Sequence, residues 1–131
     1  MKVALITCSS NKKTYRCPAY ELYSESPRFP YLYQYAKQHS DKIFILSARH
    51  GLVPEDMLLE PYNETLNEKS RQERQVWAAK VIQELRRNAD IKNDEFIILA
   101  GEIYYEYLIP HLSKYALPLK GKTIGQWIPT L

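Results

Sequence analysis

The chain has 131 residues, enough for one domain and too few for two of ordinary size. A hydrophobic share of 45%, a charged share of 25% and only 4 glycines describe a chain that builds a core, and exclude the disordered and collagen-like classes. Eighteen Lys and Arg against 15 Asp and Glu leave a net charge of +3, too small an excess to name a nucleic-acid binder.

The charge is unevenly placed. Residues 1–50 carry 8 basic and 3 acidic side chains, residues 51–100 carry 7 and 10, and residues 101–131 carry 3 and 2. A positive N-terminal third suits an anionic ligand and serves solubility equally well. Tyrosine is over-used, at 11 residues against 3 Phe and 2 Trp. Its ring packs while its hydroxyl bonds, which suits a half-wet pocket, an interface or a core. No apolar run approaches the ~18 residues of a membrane span, and Val3-Ala4-Leu5-Ile6 is too short for a signal peptide. A cytoplasmic chain without a membrane partner is expected. Cys8 and Cys17 form neither a zinc set nor a C-x-x-C motif, so free thiols are expected. His39, His50 and His111 are scattered, and neither a metal nor a cofactor is expected.

In chain order, Val3–Thr7, Ile43–Leu46 and Phe96–Ala100 are short apolar runs without period-2 alternation, the pattern of strands covered on both faces. A helix is expected over Tyr31–Gln38, starting after Pro30. Between Ser47 and Leu66 no strand or helix period is evident, which predicts a long loop carrying Gly51, Pro54 and Pro61. The strongest helix signal runs from Ser70 to Asn88. Ser70 and Glu73 form a capping box, and Trp77, Val81, Ile82 and Leu85 share one face. A last helix through Ile103, Tyr104, Tyr107 and Leu108 is expected to stop near Pro110, with an edge strand and a docked end from Leu117 to Leu131. The predicted fold is a single α/β domain over residues 1–131, in three layers, with a mostly parallel sheet and helices on both faces.

Ligands of open parallel sheets bind outside the carboxyl ends of the strands. Here those ends deliver Thr7-Cys8-Ser9-Ser10-Asn11-Lys12-Lys13, Ser47-Ala48-Arg49-His50-Gly51, and Gly101-Glu102 with Tyr104. The first cluster can cradle an anion, although it lacks the glycines of a Walker A loop; an ordinary polar turn is the alternative. Cys8 is a candidate nucleophile beside lysines, set against a small packed thiol. His50 is a candidate acid or base, and Glu60, Glu64 and Glu102 are carboxylates available for proton transfer if buried.

The run from Ser47 to Asp56, with Glu60-Pro61-Tyr62-Asn63-Glu64-Thr65-Leu66, resembles the YaaA-like family. That family shows a strand ending in Ser-Gly/Ala, a Tyr/His-Gly-Leu step, then Pro-x-Asp and Pro-Tyr. Leu99-Ala100-Gly101-Glu102-Ile103-Tyr104 resembles its later Leu-Ala-Ser-x-x-Tyr segment, so the likeness spans residues 43 to 108. At the front, Cys8–Lys13 and Leu22–Phe29 are more similar to a compact phage and bacterial branch, and to the Cys-Ser-x-x-Lys and Tyr-Ser patterns of a domain in archaeosine synthase. The resemblance implies an α/β fold with a cleft. Larger members are implicated in peroxide stress and DNA binding; this chain is roughly half their length and shows no helix-hairpin-helix insertion, so that role is not carried over. Position by position, the resemblance points to Ser47, His50, Gly51, Pro61, Tyr62, Thr65, Gly101 and Tyr104, and from the compact branch to Cys8, Ser10, Lys12, Tyr23, Ser24 and Phe29. Gly51 would permit a turn or a close ligand approach. Tyr62 or Tyr104 would stack on a base, and Ser10 with Lys12 would hold a phosphate beside Cys8.

The first functional expectation is an enzyme or enzyme-like domain acting on a nucleotide or nucleobase, by base modification or glycosidic-bond chemistry. The alternatives are a non-catalytic DNA- or RNA-binding module and a small partner-binding subunit.

Overall fold

A computed structural model describes residues 1–9, 12–122 and 126. Its centre is β1 (Lys2–Thr7), which pairs in parallel with β3 (Lys42–Ser47) on one side and with β6 (Glu95–Leu99) on the other. An edge strand β7 (Lys114–Ala116) extends the sheet in parallel beyond β6, and β4 (Gly51–Pro54) closes the opposite edge antiparallel to β3. The order is β4-β3-β1-β6-β7. This is an α/β fold with a mostly parallel five-stranded sheet.

The unbroken apolar runs follow from burial on both faces. Val3 and Leu5, Phe44 and Leu46, and Phe96 and Ile98 enter one apolar cluster, while Ala4 and Ile6, Ile43 and Ile45, and Ile97 and Leu99 enter another. Side chains alternate along a strand, so each run supplies two surfaces at once. Helix α2 (Phe29–His39) covers the second surface with Phe29, Leu32 and Ala36. The first is covered by α3 (Arg71–Asn88), through Trp77, Ala78, Val81, Ile82 and Leu85, and by Tyr104, Tyr105 and Leu108.

Helix α2 begins two residues earlier than its sequence suggests. Pro30 sits in its first turn, where a missing amide costs nothing, and the Ser26 hydroxyl accepts from the Arg28 and Phe29 amides at 3.3 and 3.4 Å. Helix α3 starts where its capping box places it: Ser70 Oγ accepts from Glu73 N at 3.1 Å, and Glu73 Oε1 accepts from Ser70 N at 2.9 Å.

Three expectations are corrected. The edge strand expected from Leu117 onward lies before it, as β7, which ends at Ala116. The span from Ser47 to Leu66 is not one long loop. It holds β4, a short β5 (Leu58–Leu59) paired antiparallel with β2 (Cys17–Pro18), and a 3-10 turn at Leu66–Glu68. Leu52 and Val53 are too brief a run to give a period, and the strand exists because β3 offers it a ladder. The helix expected through Leu108 is instead one turn, α4 (Glu102–Tyr105), followed by a separate 3-10 turn at Ile109–His111 that takes Pro110 in its first residues. A further one-turn helix, α1 (Ala19–Leu22), follows β2. Lys120 and Lys122 close turns onto Leu117 and Leu119; of the residues from 123 to 131 in the expected docked end, only 126 lies within the described residues.

Gly51 opens β4 at φ 77°, and a Cβ there would lie 2.5 Å from Glu84 Oε1. The left-handed backbone alone disfavours any other residue. Gly51→Ala is expected to destabilise the fold by about 1–2 kcal/mol, read as a lower urea midpoint with an unchanged slope.

Candidate functional site

The chain leaves β1 toward β3 through α2 on one face, and leaves β6 toward β7 through α4 on the other. β1 and β6 are neighbours whose exits diverge, so the crevice above them is the switch point where open α/β sheets receive ligands. A cleft of about 640 Å³ lies there, within the ~300–1,000 Å³ of small-molecule sites. Thr7, Cys8 and Ser9 form its floor with Gly101. Lys12, Arg28, Phe29 and Leu32 line it from the α2 side of the chain, and Asn63, Glu64, Thr65, Asn67 and Glu68 line it with Glu102 and Tyr104.

Cys8 is half-buried, and its amide still donates to Leu46 O at 3.1 Å. Its Sγ lies 3.5 Å from the Tyr104 hydroxyl across the floor. Tyr104 is buried, with the Trp77 ring edge-on at 5.7 Å. Burial, then the nearby Cys8, raises the Tyr104 phenol above its ordinary range, so it stays a proton donor at neutral pH. Lys12 holds its ammonium 4.5 Å from the Tyr62 ring centroid and 5.9 Å from that of Tyr23. Burial lowers the Lys12 amine, with Cys8 opposing. Among the described residues neither Lys12 nor Arg28 has a carboxylate within 4.0 Å.

The sequence-predicted residues are not all brought together. Cys8, Lys12, Thr65, Gly101 and Tyr104 line the cleft. A Cβ at Gly101 would meet nothing within 4 Å, so the glycine leaves space at the floor. Thr65 also caps the following turn, its Oγ1 accepting from Asn67 N at 3.3 Å. Ser47, Tyr62 and Tyr23 lie beneath as a buried chain: Ser47 Oγ donates to the Tyr62 hydroxyl at 2.7 Å, and that hydroxyl bonds to the hydroxyl of Tyr23. Burial raises both phenols, so each remains protonated and the chain uncharged.

His50 does not share the cleft lining with Cys8. Its amide donates to Ser47 Oγ at 3.0 Å, and its ring stands edge-on to Tyr62 at 5.2 Å, outside the cleft lining. Gly51 serves the hairpin turn, and Ser24 is exposed, its hydroxyl donating to Glu21 O at 2.6 Å. Ser10 lies outside the described residues. Sequence reasoning did not single out Arg28, Glu68 or Lys122, which reach the cleft from elements distant in the chain. Arg28 lies within Leu22–Phe29, the stretch similar to the compact branch, and that was its one signal. Among the described residues no three His, Cys, Asp or Glu side chains are grouped to hold a metal.

The fold and cleft define an α/β protein with a small-molecule-sized crevice at the switch point of its sheet. A family of unknown function, DUF6884, matches residues 3–131, and the chain belongs to it. No curated protein and no solved structure matches the chain. Among the described residues no helix is long and apolar enough to cross a membrane.

Two outcomes follow from this geometry. Tyr62→Phe leaves Ser47 Oγ and the Tyr23 hydroxyl without their shared partner and is expected to cost about 1–3 kcal/mol in chemical denaturation. Burial, then Arg49 and Lys80, depress the His50 imidazole below its ordinary value, with Glu64 opposing. The unfolded chain therefore binds the extra proton first, and stability falls as pH drops through the unfolded value near 6.5. Urea midpoints between pH 7.5 and 5.5 are expected to fall less steeply in His50→Gln than in the unaltered protein.

Proposed function

We propose that this chain is a nucleotide- or nucleobase-directed enzyme or enzyme-like protein, built as one three-layer domain over residues 1–131, that takes its ligand in the cleft between β1 and β6. The observation that carries the reading is the pair of cations Lys12 and Arg28, which line a cleft at the sheet's switch point and among the described residues have no carboxylate within 4.0 Å. An anionic group such as a phosphate satisfies the cations. The resemblance of Cys8–Lys13, Pro61-Tyr62 and Gly101–Tyr104 to the YaaA-like family and to the archaeosine synthase domain favours the same ligand class. Cys8 is the nucleophile in this reading, because its sulfur lines the cleft 3.5 Å from the Tyr104 hydroxyl. The proposed location is the cytoplasm.

A second reading, a non-catalytic DNA- or RNA-binding module, draws on a different surface. The outward side of α3 carries exposed Arg71, Lys80, Arg86 and Arg87, while its carboxylates are engaged: Glu73 in the cap and Glu84 at the Leu52 amide, 3.2 Å away.

Thermal shift with the four ribonucleoside monophosphates, their nucleosides, and single- and double-stranded nucleic acids tests both readings. A ligand that binds only the folded state raises Tm with concentration. The cleft reading expects stabilisation by nucleotides, weakened about tenfold in apparent affinity by Lys12→Ala or Arg28→Ala, the loss of one charge-assisted contact. Stabilisation by any polyanion, abolished by salt and unchanged in those variants, selects the second reading instead.

A further inference from the structure

The cleft is electrically divided, and the division follows the fold. Its cations come from the side of the sheet that α2 covers. Lys12 follows β1 and lies over Tyr23 and Tyr62, Arg28 precedes the first residue of α2, and Lys122 closes a turn onto Leu119, which packs in the cluster with Phe29 and Leu32. Its carboxylates come from the other side. Glu102 stands in the first turn of α4, and Glu68 ends the 3-10 turn at Leu66–Glu68, which packs on α4. Glu64 lies on the same wall but is neutralised by Lys69 at 3.3 Å and Arg49 at 3.6 Å. Among the described residues, no cation lies within 4.0 Å of Glu68 or Glu102. The amides opening α2 do not supply the anion site, since Ser26 Oγ accepts from Arg28 N and Phe29 N. The positive end of the cleft is made of side chains.

A ligand spanning this cleft meets cations at one end and acceptor-only carboxylates at the other. Resting on the nucleotide reading above, we infer that the site takes a single nucleoside monophosphate and excludes a nucleic-acid strand. The phosphate is held by Lys12 and Arg28, and the ribose hydroxyls and exocyclic amine of the base donate to Glu68 and Glu102. A strand continuing through the cleft carries a further phosphate toward the acidic wall. Within a Debye length, about 10 Å at 0.1 M salt, that repulsion is only partly screened. Like charges set against a wrong partner are a common means of selectivity.

The test is calorimetric titration of the full chain with adenosine and cytidine 5′-monophosphates, inorganic phosphate and a short single-stranded oligonucleotide, repeated on Glu68→Gln/Glu102→Gln and Glu68→Lys/Glu102→Lys. Both positions are exposed, and thermal melting of each variant verifies its fold. The expected result is a monophosphate bound at least tenfold more tightly than inorganic phosphate or the oligonucleotide. The Gln pair weakens the monophosphate, and the Lys pair also strengthens the oligonucleotide. If the monophosphates bind but the oligonucleotide binds the unaltered protein more tightly than either, and Lys12→Ala weakens both, the inference falls while the nucleotide-directed reading stands; an oligonucleotide affinity unchanged by Lys12→Ala with no monophosphate binding overturns both. Inorganic phosphate binding as tightly as the monophosphates overturns it too, because the far end is then unread. Carboxylate variants that change neither affinity have the same consequence. If no nucleotide or strand binds at all, the proposed function falls with it.

Discussion

Ser47 is the residue on which the arrangement beneath the cleft depends. It is wholly buried at the end of β3, and both its carbonyl and its hydroxyl are used. Its carbonyl accepts from Trp77 Nε1 at 2.8 Å, which docks α3 against the sheet. Its hydroxyl accepts from the His50 amide, which shapes the turn into β4, and donates to Tyr62, which fixes the segment after Pro61. A buried hydroxyl without partners is costly, so these contacts are mutually enforcing. Through Tyr62 the chain continues to Tyr23, and the two rings form the surface over which Lys12 lies. A cation over a desolvated ring gains on the order of 0.5–2 kcal/mol. The position of the cleft's lysine is thereby tied to the far end of β3.

This coupling gives the tyrosines two separate tasks. Tyr23 and Tyr62 are internal, with phenols that stay protonated and bond to each other and to Ser47. Tyr104 faces the cleft and meets Cys8, while Trp77 packs edge-on against it. Trp77 thus touches both systems, through its indole nitrogen to Ser47 and through its ring to Tyr104. The rigid part of the site is built on β1, β3 and α3, and its charged groups stand on the segments between them.

The parts of the fold legible in sequence were those whose signal is local. The runs at Val3, Ile43 and Phe96 are apolar throughout because both faces of each strand are covered, and α3 shows its cap and its buried stripe within one stretch of chain. The strand β4 was not legible, because Leu52 and Val53 form a strand only against Leu46 and Ile45. The helix expected through Leu108 was over-read for a related reason. Tyr104, Tyr105 and Leu108 are all buried, but in a turn, a bend and a second turn rather than on one continuous helical face.

For the site, sequence determined the chemistry of the strand ends: a thiol and lysine after β1, a serine and histidine after β3, a glycine and tyrosine after β6. Only the tertiary structure decided which of them meet. Because β1 lies between β3 and β6, either neighbour could have supplied its ligand-facing partners; the diverging crossovers opened the crevice toward β6 and buried the end of β3 under α3. That placed Cys8 beside Tyr104, buried Ser47, left His50 outside the cleft lining, and brought in Arg28 and Glu68 from segments distant in the chain. Strand-end chemistry is written in neighbouring residues, whereas crossover handedness and helix packing are properties of the whole chain.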